Sequence, residues 1–164
     1  MIPKIKKILY TTDLSLNSAY VFRYALNSAI KHDAKIDILH VLEPVGVFIG
    51  ASSEDTEQSR IETIKKRIKS LTEKDTESDP SIIDRVSEIR VIKKENPATV
   101  ILNAVKELKP DILIMGTHSK GVLGNALLGS VAIKVLQKIK IPVYIIPIPD
   151  LPESYVRWLR QHNE

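Results

Sequence analysis

Ile112 to Ser130, reading ILIMGTHSKGVLGNALLGS, is the stretch on which the fold turns. Four apolar residues, Ile112 to Met115, stop at Gly116. A polar, Gly-rich passage follows before Val131 opens a helical pattern, so the stretch predicts a buried strand, a loop and a helix start. Gly116, Gly121, Gly124 and Gly129 are four of the six glycines in the chain, which gathers the residues that tolerate positive φ or close backbone approach. The loop is also longer than the usual connection from a strand to a helix. A loop delivered by a strand and ending at a helix N-terminus turns amide N–H groups and the positive end of the helix dipole toward one point, where anions bind and phosphates bind best. The same glycines suit the ordinary turn chemistry of a βα connection, so locally both readings stay open.

Composition narrows the class. A chain of 164 residues makes one domain with a real core, and 43% apolar with 27% charged residues is the balance of a soluble globular protein. The absence of cysteine excludes disulfides and thiolate chemistry, and the four histidines lie too far apart to suggest a metal cluster. The start MIPKIKKILYTTD has too short an apolar run for a signal peptide, and no stretch approaches membrane-spanning length, so a cytoplasmic protein is expected, with no membrane partner. The net charge of +4 is spread along the helical segments, and the few aromatics do not interleave with the basic residues. A nucleic-acid partner is therefore not expected.

Outward from that stretch, apolar runs and helical periodicities alternate. Lys6–Tyr10 reads as a strand, Thr11, Thr12, Asp13 and Ser15 as a polar turn, and a helix follows from Leu16 with Ser15 as N-cap. Ala19, Phe22, Ala25, Leu26, Ala29 and Ile30 form its apolar face. Lys35–Val41 is a second strand that Pro44 ends. The loop after it holds Val47, Phe48 and Ile49, which suit packing over the sheet edge or over a ligand. Glu54–Lys74 predicts a charged helix with one apolar stripe, Ile61, Ile64, Ile68 and Leu71, and Asp75–Ser81 a connector. A third strand lies within Ile83–Lys93. Asn96 and Pro97 then start a helix whose inner face is Val100, Ile101, Ala104, Val105 and Leu108, and Pro110 stops it. A helix from about Ser130 to Lys138, with Val131, Val135 and Leu136 inward, precedes the fifth strand, Val143–Ile146.

Strand and helix repeated in this way imply an α/β fold: a five-stranded, mostly parallel, Rossmann-like sheet of order 3-2-1-4-5 with helices on both faces. In such a sheet the ligand crevice lies beyond the carboxyl ends of strands one and four, where the winding reverses. Thr12 and Asp13 would there face Gly116 and the loop that follows it. Asp13 also suits the plainer role of turning the chain after the first strand, and Ser130 that of an ordinary helix cap. His118 has no carboxylate placed to orient it, so it reads as a loop histidine rather than a general base.

KKILYTTDLS at Lys6–Ser15, ILHV at Ile38–Val41, DILIMGTHSKG from Asp111, NALLGSVAIKVL from Asn125 and IPVYII from Ile141 together resemble the universal stress protein family, over about the first 148 residues. The resemblance implies an adenine nucleotide alpha hydrolase-like fold. The family's nucleotide-binding branch carries Gly-x-x-Gly, nine residues, then Gly and Ser or Thr. Gly116, Gly129 and Ser130 match it, but Ser119 stands at the second glycine, and Glu95 stands before the third helix where glycine is common. Carried over residue by residue, the resemblance puts Asp13 and the backbone of Val41 at the adenine, with Thr12 beside them, and Met115 and Gly116 on the ribose side. Ser119, Lys120, Gly129, Ser130 and Val131 would hold the phosphates, with Mg2+ or Mn2+ riding on them.

The implied function is ATP binding that regulates a stress response, with at most slow hydrolysis and no catalytic residue assigned. The alternative is a nucleotide-free interaction module acting as a dimeric scaffold, which Ser119 and Glu95 favour. The family commonly dimerises through its last strand, and Pro147 and Pro149 would remove donors from that edge if it faces outward. Residues 1–150 make up the family-like domain. The tail from Leu151 to Glu164 is an amphipathic segment, with Tyr155, Val156, Trp158 and Leu159 on its apolar side, suited to docking on its own sheet or a second subunit rather than on a foreign protein.

Overall fold

The computed structural model describes residues 2–42, 58–59, 61–66, 69, 84–94, 96–118, 128–149 and 152–161. Its strands are β1 (Lys7–Thr12), β2 (Lys35–Leu42), β3 (Val86–Lys93), β4 (Ile112–His118) and β5 (Val143–Ile148). Its helices are α1 (Leu16–His32), α2 (Pro97–Leu108), α3 (Ser130–Leu136) and α4 (Glu153–Gln161). The strands form one sheet in the order β3-β2-β1-β4-β5, every neighbouring pair parallel. This is the expected order.

Side chains of a strand alternate between faces, and two core clusters result. Ile8, Tyr10, Ile36, Ile38, Ile112 and Ile114 pack with Ala19, Val21, Phe22, Ala25 and Ala29 of α1 on one face. Leu9, Leu39, Leu113 and Met115 pack with Ala98, Val100, Ile101 and Ala104 of α2 and Ala132 and Val135 of α3 on the other. The inner strands β1 and β4 are apolar on both sides because both sides are covered; Ile8, Leu9, Ile112, Leu113 and Ile114 have no exposed surface. Each such side chain stabilises the fold by roughly 1.5–3 kcal/mol, which fixes the centre of the sheet and the loops leaving it.

Local chemistry sets the helix ends. Ser15 Oγ accepts the Ser18 N–H at 3.3 Å, and Asn96 Oδ1 accepts the Thr99 N–H at 3.2 Å with Pro97 as the first helical residue. Both helix starts are where the sequence put them. Of the long charged helix, residues 61–66 are helical, with Ile64 buried and Ile61 against the α1-side core. Ile68, Leu71, the Asp75–Ser81 connector, Val47 to Ile49 and Glu95 lie outside the described residues.

Strand ends differ from expectation. β1 runs on through Thr11 and Thr12, paired to Leu39 and His40, where a turn was expected. β4 continues past Gly116 to His118, because Gly116, Thr117 and His118 keep pairing with Ile146, Pro147 and Ile148. Loss of an apolar side chain ends a hydrophobic run but not a backbone ladder. β5 likewise passes through Pro147. The Leu113 N–H donates to the Pro142 carbonyl at 3.0 Å, so alternate residues from Pro142 turn their backbone toward β4 while Val143, Ile145 and Pro147 turn theirs to the open edge. Proline there removes no bond from the sheet. Two side chains expected inward are exposed, Ile30 at 43% and Leu136 at 37%, and Val21 is buried instead.

The tail helix α4 folds back on α1. Tyr155 packs against the α1-side core, edge-on to Tyr20 with ring centroids 6.4 Å apart. Tyr20 also shares a 2.9 Å hydroxyl hydrogen bond with Tyr24. That bond, with burial second, pushes the Tyr20 phenol up to about 12. The side chains of Trp158 and Leu159 lie outside the described residues.

Candidate functional site

The pairing of β1 with β4 ends at Thr11 and Met115, whereas β1 stays paired with β2 one residue further, to Thr12 and His40. Beyond that point the two central strands part, and a crevice of about 580 Å³ opens over their carboxyl ends. The volume is in the range of small-molecule sites. Thr12 and Asp13 line it from the turn after β1, Val41 from β2, Met115 and Gly116 from β4, and Gly129, Ser130 and Val131 from the start of α3. These are eight of the residues singled out in the sequence, brought together from distant parts of the chain. Ser119 and Lys120 lie outside the described residues, as does the side chain of His118.

The turn after β1 is tightly tied. Leu14 adopts φ 61, a left-handed conformation that costs a non-glycine residue about 1–2 kcal/mol. Its N–H donates to Thr12 Oγ1 at 3.1 Å, and its side chain packs against the α1-side core. Asp13 Oδ1 accepts the Ser15 N–H at 2.9 Å and the Ser15 hydroxyl at 2.6 Å. The turn-forming role of Asp13 is therefore realised. It uses one oxygen of an exposed carboxylate, and the other has no hydrogen bond among the described residues. Below, the Tyr10 hydroxyl donates to the Ser18 carbonyl at 2.7 Å and anchors the first turn of α1 to β1.

Across the crevice, Gly129 is the N-cap of α3 and Ser130 is its first helical residue, so Ser130 is not the ordinary cap. Among the described residues no side chain caps this helix. The first-turn N–H groups of a helix have no partner within it. The Gly129 N–H donates to Thr117 Oγ1 at 3.2 Å, pinning the helix start to the end of β4.

The two glycines at the site have different physical reasons. A Cβ on Gly116 would sit 2.6 Å from Val21 Cγ2, and a β-branched side chain in a helix has little freedom to move aside. Packing with α1 requires that glycine. A Cβ on Gly129 would meet nothing within 4 Å, and its φ of −58 is open to any residue. Nothing in the described structure demands glycine there.

His40 is a lining residue the sequence reading passed over. It is 5% exposed, stands on β2 opposite Thr12, and its Nδ1 lies 2.9 Å from the Thr12 carbonyl oxygen. Thr117, also buried, Pro97 and Ile101 are among the other residues of the walls. Within ILHV the histidine reads as part of an apolar run; the signal was a polar residue at a buried strand position. Among the described residues no group of three or more His, Cys, Asp or Glu could hold a metal ion.

The universal stress protein family model matches residues 4–147. The chain belongs to that family. It is 28% identical over 152 residues to universal stress protein MJ0531 of Methanocaldococcus jannaschii, covering 88% of this chain and 83% of that protein. Among solved structures it is similar to hypothetical protein MJ0577, with 25% identity and a TM-score of 0.57 over 91% of this chain and all of the other. It also resembles a universal stress protein in complex with cAMP, with 20% identity and a TM-score of 0.62 over 90% of this chain and 100% of that one. The latter likeness is one of fold. Among the described residues no helix is long and apolar enough to cross a membrane.

Proposed function

We propose that this chain is a cytoplasmic regulator of stress responses that binds ATP, with Mg2+ or Mn2+, in the crevice between β1 and β4 and hydrolyses it slowly if at all. The observation that carries this reading is the convergence of Asp13, Val41 and the Gly129 to Val131 segment on one crevice at the switch point of the sheet. Asp13 and the Val41 backbone would read the adenine, Thr12 would sit beside them, and Met115 and Gly116 would flank the ribose. Gly129, Ser130 and Val131 would hold phosphate, with Ser119 and Lys120 from the loop. The open space over Gly129 fits a bulky anion, and the cAMP complex of a family member is in accord with an adenine ligand. A divalent ion would ride on phosphate oxygens, as Mg2+ commonly does.

Among the described lining residues Asp13 is the one carboxylate, and Ser15 already engages its Oδ1. Such a set binds a triphosphate without positioning a water for attack. Two copies would associate along the open edge of β5, over a short interface, because Pro147 faces that edge without a donor.

A second reading, a nucleotide-free dimeric scaffold, draws on two facts. The contact of Asp13 with Ser15 and the packing of Gly116 against Val21 explain both residues with no ligand. Mass spectrometry of small molecules released on denaturing the purified chain, with a thermal shift at millimolar ATP and Mg2+, separates the two. ATP binding gives a released adenine nucleotide or a rise in Tm. Neither signal would retire the first reading.

A further inference from the structure

We infer that His40 is a positioning residue that sets base selectivity, by locking together the two segments that meet the adenine. This rests on the nucleotide reading above. His40 precedes Val41 in β2, and its ring reaches across to the carbonyl of Thr12, which precedes Asp13. A carbonyl oxygen only accepts, so Nδ1 carries the proton and donates. The imidazole thus forms a buried strut between the backbone that offers Val41 and the turn that offers Asp13. Thr12 Oγ1 and Asp13 Oδ1 both bond within their own turn. That turn contains the left-handed Leu14, a conformation that persists only when its surroundings hold it. Removing the strut leaves the phosphate-side residues of β4 and α3 untouched. It loosens only the distance and angle between the two base contacts, where small misplacements are costly.

The readout is a ratio. Calorimetry with Mg2+ compares affinity for ATP with affinity for inorganic triphosphate, in the wild-type chain and in His40→Asn, His40→Gln and His40→Leu. Asparagine places an amide N–H near the position of Nδ1 and keeps the donor to Thr12. The longer glutamine places its amide near Nε2, and leucine has none. The wild-type chain prefers ATP, His40→Asn retains most of that preference, and His40→Gln and His40→Leu lose roughly tenfold of it with triphosphate affinity unchanged. If His40→Leu does not fold, the contrast between asparagine and glutamine decides. An equal ratio in those two variants overturns the inference while leaving nucleotide binding intact. A wild-type chain that binds neither ligand overturns both.

Discussion

At the amino end of the sheet the chain closes the approach to its central strand with an acidic side chain, and at the carboxyl end the two central strands part over a crevice. Asp111 Oδ2 accepts the N–H groups of Lys6 and Lys7 at 2.8 and 2.9 Å, closing the approach to β1. Asp33, which ends α1 in a left-handed conformation, pairs with Arg85 at 2.7 Å and Lys6 at 3.0 Å. Over the carboxyl ends, α3 begins with no side-chain cap among the described residues, a Cβ at its N-cap Gly129 would meet nothing within 4 Å, and a strained turn presents Asp13. One end is finished by the protein alone. The other opens the crevice to which the proposed ligand is assigned, so a change at the amino end should lower stability without altering ATP affinity.

The largest effect is expected where the crevice touches the core. Gly116→Ala drives a methyl into Val21 and costs about 1–3 kcal/mol in urea unfolding, and adding Val21→Ala recovers part of it. If Gly116→Ala were neutral, the glycine would belong to the ligand and not to packing. Next comes Asp111→Ala at the amino end, which takes the carboxylate acceptor from the Lys6 and Lys7 N–H groups and lowers stability by about 0.5–1.5 kcal/mol, with ATP affinity unaltered. A loss of affinity in that variant would show that the two ends are coupled.

The smallest effect is electrostatic. Arg85, and then Lys6, hold the Asp33 carboxyl down from 3.8 to about 2. A depressed carboxylate stabilises the fold above its unfolded pKa and ceases to do so as pH falls through its folded value. Asp33→Asn should therefore show a small Tm deficit at pH 7 that fades as the pH is lowered through that interval. A deficit that persists in strong acid would mean the side chain acts through hydrogen bonding rather than charge.

Which parts were legible in the sequence follows from what each signal measures. Strand order, the inner face of α2, most of that of α1 and the starts at Ser15 and Asn96 could be read because apolar periodicity and capping are local. Strand ends could not. The ladder carries β4 through Gly116 and β5 through Pro147, and only the register with the neighbouring strand reveals this. Eight candidate residues meet at one crevice because the switch-point rule follows from topology, which was legible. His40 was not singled out because its meaning depends on Thr12 standing opposite in β1, and the reason for Gly116 depends on Val21 of α1. Leu14 carries no sequence mark of its left-handed turn, since leucine is rarely found there.

The central claim is that the carboxyl end is left open for phosphate, and Gly129→Asp tests it most directly. The N-cap backbone accepts aspartate without strain, and a carboxylate there would close α3 in the way that Asp111 closes β1. In paired calorimetry and thermal unfolding, the wild-type chain should bind ATP with Mg2+. The variant should gain a few tenths of a kcal/mol in stability while losing at least roughly tenfold in ATP affinity. A variant that binds ATP as the wild-type chain does, or a wild-type chain that binds none at millimolar concentration, would contradict it.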